Sequence, residues 1–236
     1  MAEGAVLLLH GQPGRGSDFR AAMSWVHAKE ISVVSPDRPG WGSGDGMALD
    51  VAGNAAWAAQ FLGDRTVVVG YSFGAAVAAL VAIEHPDLVA GLVLVAPVAT
   101  ESALLAVDYV LARRLVGRML VGSLNAVCSF SPGWAHYRRD GESFHAEQRH
   151  LVAELAKVES RLGELRMQTS VIYGLGDRII PARSVADLAT RVSQTQLVIV
   201  PGHGHRLLAT APVVVGETIG EVVRATGVGG QNCNSR

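Results

Sequence analysis

The segment Val67-Val68-Val69-Gly70-Tyr71-Ser72-Phe73-Gly74-Ala75-Ala76 sets a run of β-branched residues against a run of small ones. Three valines in a row read as a short strand buried on both faces. Residues 75–83 read as a helix, which His85-Pro86 ends. Between them lies Gly-x-Ser-x-Gly, with Ser72 at its centre. So tight a turn forces the serine into a strained backbone conformation. Gly70 and Gly74 carry no Cβ, so strand and helix can approach closely around it. The Ser72 oxygen then projects from the end of the sheet, and the Phe73 N–H lies at the positive end of the new helix. Bare spacing of this kind arises by chance in a chain with 27 glycines. A strand before it and a helix after it give it weight as a nucleophile elbow. The bland alternative is a glycine-rich turn holding a buried serine.

The pattern repeats outward in both directions. Upstream, residues 4–9 form a compact apolar strand running into His10-Gly11-Gln12-Pro13-Gly14. A helix over 18–28 follows, with Ser17 as its N-cap. A strand over 31–35 ends at Pro36-Asp37-Arg38-Pro39-Gly40-Trp41-Gly42, and a helix over 49–62 is stopped by Gly63. Downstream, a strand over 92–95 ends at Pro97. Strands alternating with helices at this spacing predict a doubly wound, mostly parallel α/β sheet of about six strands.

The alternation breaks over residues 100–168. Residues 103–127 read as a helix with Leu104, Leu111, Leu115 and Met119 at helical spacings. After a break at Ser131-Pro132-Gly133, residues 145–166 read as a second helical region, with Leu151, Leu155, Val158, Leu162 and Leu165 on one face. The stretch is a helical insertion, expected to form a cap. Strands return over 170–173, before Gly174-Leu175-Gly176-Asp177, and over 196–200, before Pro201-Gly202-His203-Gly204-His205. Helices over 184–192 and 212–225 complete the pattern. The division is a core of 1–99 and 169–226, an insertion of 100–168 and a polar, disordered tail of 227–236.

Composition excludes several classes. Of 236 residues, 49% are hydrophobic and 17% charged, enough for one large core. A net charge of −1 without a basic run gives no argument for nucleic acid. The longest apolar run falls far short of a membrane span. Cys128 and Cys233 make no disulfide framework, so a cytoplasmic protein is expected. No Cys-x-x-Cys and no helical His-x-x-x-His with glutamate suggests a metal, and no glycine-rich loop carries the Lys-Ser/Thr pair of a nucleotide site. The expectation is no metal and no cofactor.

Taken together, the chain resembles the α/β-hydrolase superfamily over nearly its whole length. The carriers are His10-Gly11-Gln12-Pro13-Gly14 as an oxyanion loop, Asp37-Arg38-Pro39-Gly40-Trp41-Gly42, the elbow at Ser72, and the loops bearing Asp177 and His205. The order Ser72, Asp177, His205 is the order this fold requires. The resemblance implies backbone N–H donors at Gln12 and Phe73, with Gly11 and Trp41 beside the substrate. It also sets the chain apart from dehalogenases and epoxide hydrolases, which carry Asp where Ser72 stands. The usual leading strands are absent, so the strand over 31–35 is expected at an open edge.

Ser72 needs a base to remove its proton. His205 is the candidate, with His203 as its rival. Asp177 would orient the imidazole, with Glu101 as the alternative acid. His10 is expected to brace its loop, and Trp41 to line the pocket mouth or merely to pack. The resulting expectation is a serine hydrolase of a small-molecule carboxylic ester or thioester. The alternatives are C–C bond hydrolysis of diketone-like substrates by the same residues, and a non-catalytic ligand-binding receptor. A homodimer through the insertion helix is the sharper expectation, and a monomer with a protected edge the plainer one.

Overall fold

The computed structural model describes residues 4–26, 31–128 and 140–228. Six strands form one parallel sheet: β1 (Gly4–Leu9), β2 (Val33–Val34), β3 (Leu62–Tyr71), β4 (Val89–Val95), β5 (Thr169–Gly174) and β6 (Thr195–Val200). Their order is β2-β1-β3-β4-β5-β6. The chain reverses direction across the sheet between β1 and β3, and loops at such a switch point diverge into a crevice. The Gly11 loop and Ser72 lie there, at the ends of these two strands.

Period-2 alternation sorts the strands onto two cores. Leu7, Leu9, Val68, Leu92 and Leu94 face one cluster, and Val6, Leu8, Val67, Val69, Val93 and Val95 face the other. The first face is covered by α2 (Val51–Ala58), α3 (Phe73–Glu84), α6 (Gly141–Arg161) and α7 (Ala182–Arg191). The second is covered by α1 (Arg20–Met23), α8 (Leu207–Thr210) and α9 (Pro212–Thr226). Each fully buried Val or Leu contributes about 1.5–3 kcal/mol, so both faces are needed.

Several boundaries differ from the sequence expectation. The first helix is a 3-10 turn over Gly16–Phe19 followed only by α1. Ser17 does not cap it; the Asp18 carboxylate accepts the Arg15 N–H at 2.9 Å instead. An acid inside the turn outcompeted the serine at its start. The second helix ends at Ala58, and Leu62 is already extended, pairing with Gly4 as β3 begins. The helix over 103–127 divides into α4 (Ala106–Leu111) and α5 (Arg114–Cys128). A Cβ on Gly117 would lie 1.9 Å from the Leu111 carbonyl oxygen, so the two helices meet where only glycine fits. The break at 131–133 lies outside the described residues, as does the tail beyond Val228.

Between β4 and β5 the elements formed by the described residues are all helices. The apolar stripe of α6 and the turn after it, Leu151, Leu155, Val158, Leu162 and Leu165, is buried in the core as its spacing implies. The N-terminal half of α6 is pinned by polar contacts to the loops at the strand ends. Asp140 pairs with Arg15 at 2.6 Å, and Ser143 Oγ donates to the Gly40 carbonyl at 2.6 Å. Glu147 pairs with Arg38, and Gln12 Nε2 donates to Gln148 Oε1 at 2.8 Å.

Candidate active site

Ser72 joins β3 to α3 with φ 54° and ψ −117°. That conformation is strained for a residue with a Cβ. Its neighbours have no space for one. A Cβ on Gly70 would lie 2.3 Å from the Gly74 carbonyl oxygen, and one on Gly74 would lie 2.2 Å from that of Leu9. The strained turn is held on both sides. The Ser72 N–H donates to Val95 O at 3.0 Å, and its carbonyl accepts from Ala75 and Val98. The side chain does not cap α3, which leaves Oγ available.

Oγ lies 3.1 Å from His205 Nε2. The other ring nitrogen, Nδ1, lies 2.9 Å from Asp177 Oδ2. Asp177 has no exposed side-chain surface, and its Oδ1 accepts the Ile179 and Ile180 N–H groups at 2.8 and 2.9 Å. A carboxylate so engaged accepts from Nδ1–H, and that tautomer leaves Nε2 free to accept the Ser72 proton. Tyr71 holds the same loop: its hydroxyl donates to the His205 carbonyl at 3.2 Å, and the two rings lie 5.5 Å apart.

The two rivals are placed elsewhere. His203 contributes its backbone, whose carbonyl accepts the Gly176 N–H at 2.8 Å and ties the two loops together. Glu101 is exposed, and its N–H donates to Glu159 Oε2.

The Gly11 loop passes directly over the serine. A Cβ on Gly11 would lie 3.0 Å from Ser72 Cβ. Phe73 is the first residue of α3, so its N–H has no acceptor within the helix. Trp41 is fully buried, edge-on to the His10 ring at 6.2 Å, and reaches no solvent. His10 is also fully buried. Its Nδ1–H donates to Gly11 O at 2.8 Å and its Nε2 accepts the Arg38 N–H at 2.9 Å. Burial, and then the Arg38 charge, hold its pKa well below the ordinary imidazole value. It is therefore a neutral brace with both nitrogens used.

Sequence reasoning missed Arg38, Glu147 and Gln148. A signal existed: extending the α6 stripe back one turn from Leu151 reaches Glu147 and Gln148, so polar residues fall on a buried face. Both Arg38 and Glu147 side chains have no exposed surface. Burial pushes the Glu147 carboxyl up, and Arg38, Trp41 and Asn54 pull it part of the way back. Apart from this site, Asp50, His150 and Glu154 bring potential ligand atoms within 4.8 Å of one another. Both carboxylates there already accept backbone N–H groups at the start of α2.

The family model described as the alpha/beta hydrolase family matches residues 6–218, and the chain belongs to that family. Among characterised relatives, the 2-hydroxymuconate semialdehyde hydrolase of Pseudomonas sp. (strain CF600) is 27% identical over 229 residues, covering 85% of this chain and 80% of that protein. A thermophilic esterase from Thermogutta terrifontis superposes with TM-score 0.70 at 22% identity, covering 96% and 92% of the two chains. A haloalkane dehalogenase from Bradyrhizobium elkani superposes with TM-score 0.80 at 17% identity, covering 95% and 91%. At those identities the two structures speak for the fold alone. Among the described residues no helix is long and apolar enough to cross a membrane.

Proposed function

We propose that this hydrolase cleaves a carboxylic ester or thioester through an acyl-enzyme on Ser72, without a cofactor. His205 Nε2 takes the Ser72 proton as Oγ attacks the acyl carbonyl. The N–H groups of Gln12 and Phe73 receive the developing oxyanion. Asp177 stabilises the imidazolium, which then protonates the leaving alcohol or thiol. A water repeats the sequence and releases the acid. Helices α4 to α6 cover the site as a cap. The observation that carries this reading is the unbroken chain from Asp177 through His205 to Ser72, at 2.9 and 3.1 Å.

A second reading is C–C hydrolysis next to a ketone or aldehyde, using the same three residues. It is favoured by the Pseudomonas relative, whose named substrate contains no ester, so that its hydrolysis breaks a carbon–carbon bond. Turnover of nitrophenyl esters, acyl thioesters and vinylogous diketones by wild type and Ser72→Ala separates the readings. Ester or thioester turnover that Ser72→Ala abolishes supports the first. Diketone turnover at far higher kcat/KM replaces it with the second, and turnover undiminished in Ser72→Ala defeats both.

A further inference from the structure

The polar contacts between α6 and the sheet loops converge on one side chain. Arg38 Nε donates to the His10 carbonyl at 3.1 Å, and Nη2 donates to the Gly11 carbonyl at 3.0 Å. Nη1 donates to Glu147 and, at 3.3 Å, to Asn54 Oδ1. Nη2 also reaches Glu147 Oε2 at 3.1 Å, which makes the pair two-pronged. The guanidinium carbon stands 4.6 Å from the centre of the Phe73 ring.

Peptide geometry turns these contacts into an orientation. A trans peptide unit is planar, with its C=O and N–H pointing in opposite directions. The Gly11 carbonyl shares its unit with the Gln12 N–H, and the His10 carbonyl shares its unit with the Gly11 N–H. Neither unit is cis. Arg38 therefore grips two successive units by their carbonyl sides and aims both N–H groups away from itself. The Gly11 carbonyl is held twice over, since His10 Nδ1–H also donates to it.

We propose that Arg38, fixed by Glu147 of α6, is a positioning residue that aims the oxyanion donors of the Gly11–Gln12 loop. The inference rests on the serine-hydrolase reading above and goes beyond it: the inserted helix supplies the anchor that completes the oxyanion site. A lysine could not replace Arg38, because a point charge lacks the planar fork that meets two carbonyls and a carboxylate at once. The ion pair also solves an electrostatic problem. An unpaired guanidinium at this depth would be strongly disfavoured, and Glu147 offsets it.

A purely structural ion pair is the competing explanation, and the two part company in a double variant. Removing one partner of a buried pair is destabilising, whereas apolar replacement of both is often neutral or better for stability. Arg38→Met with Glu147→Leu should therefore melt close to wild type yet leave the His10 carbonyl without its Arg38 bond and the Gly11 carbonyl held by His10 alone. The measurement is the rate at which a fluorophosphonate labels Ser72, together with kcat and KM on the best ester and the affinity of a boronate mimic of the tetrahedral intermediate. Losing one oxyanion donor costs about 10²–10³-fold in kcat, so a loss of about 10²-fold is expected in kcat and in labelling rate. Boronate affinity should fall alongside, with KM nearly unchanged. Arg38→Lys should lose kcat in the same way. Wild-type labelling rate and kcat in the double variant overturn the inference, as does activity that merely tracks the folded fraction in both variants. Failure of wild type to label at Ser72 defeats the underlying reading instead.

Discussion

Histidines at positions 10 and 205 show how one residue type is set to two tasks by its partners. His205 has a carboxylate on one ring nitrogen and a hydroxyl on the other, so the ring can accept the hydroxyl proton while the carboxylate stabilises the charge. His205→Ala is therefore expected to cost about as much activity as Ser72→Ala, at least about 10³-fold, because such residues act as a unit. His203→Ala should cost little, and steady-state kinetics on the three variants checks this; a dead His203 variant beside an active His205 variant would reverse the roles. His10 is the opposite case, locked neutral by burial and by Arg38. Its folded pKa lies below the value of about 6.5 that it has when unfolded. Between those values the unfolded chain binds the extra proton, so stability is full above about pH 6.5 and declines as pH falls below it. Melting temperatures from pH 7.5 to pH 5 should drop more steeply for wild type than for His10→Gln, and parallel curves would show that His10 does not cause the acid destabilisation. The grouping of Ser72, His205 and Asp177 was legible residue by residue, because each sits in a loop after a strand beside glycines. The buried ion pair was not, since Arg38 sits within a loop motif and its partner is 109 residues away.

Among the elements, α3 and α6 were easiest to read and the α4–α5 corner hardest. The stripe of α6 gave its buried face, and the run after Ser72 gave α3. Nothing at Ala112-Arg113 announces a break. The corner depends on contact at Gly117, which propensity does not encode. Gly117→Ala must push α5 away from α4, and overpacking of this kind costs about 1–3 kcal/mol. Urea denaturation should show that loss, whereas Gly122→Ala, where nothing lies within 4 Å, should be neutral or stabilising. Equal effects at the two glycines would show that the corner tolerates a side chain. The first helix was misread for a related reason: Asp18 and Asp37 take the N–H groups of Arg15 and Gly16 and fix a short turn instead.

At the scale of the molecule, the six-stranded parallel sheet followed from the alternation of strands and helices, and β2 does lie at its edge. What one chain leaves open is the outer face of α4 and α5, where Leu115 is 77% and Met119 74% exposed beside Val107, Tyr109, Val116 and Leu120. Apolar surface of this kind favours self-association. Light scattering at micromolar concentration should give a mass near twice the 24.7 kDa of the chain. That mass should collapse on Leu115→Glu with Met119→Lys; a wild-type mass near 24.7 kDa would rule the dimer out. The same sheet gathers Ser72, Asp177 and His205 from three distant loops, and the proposed chemistry stands on that convergence. Fluorophosphonate labelling followed by peptide mass spectrometry tests it most directly. Modification is expected at Ser72 alone, lost in Ser72→Ala and strongly slowed in His205→Ala. Labelling at another serine, or an unmodified Ser72 in the folded wild-type protein, would contradict it.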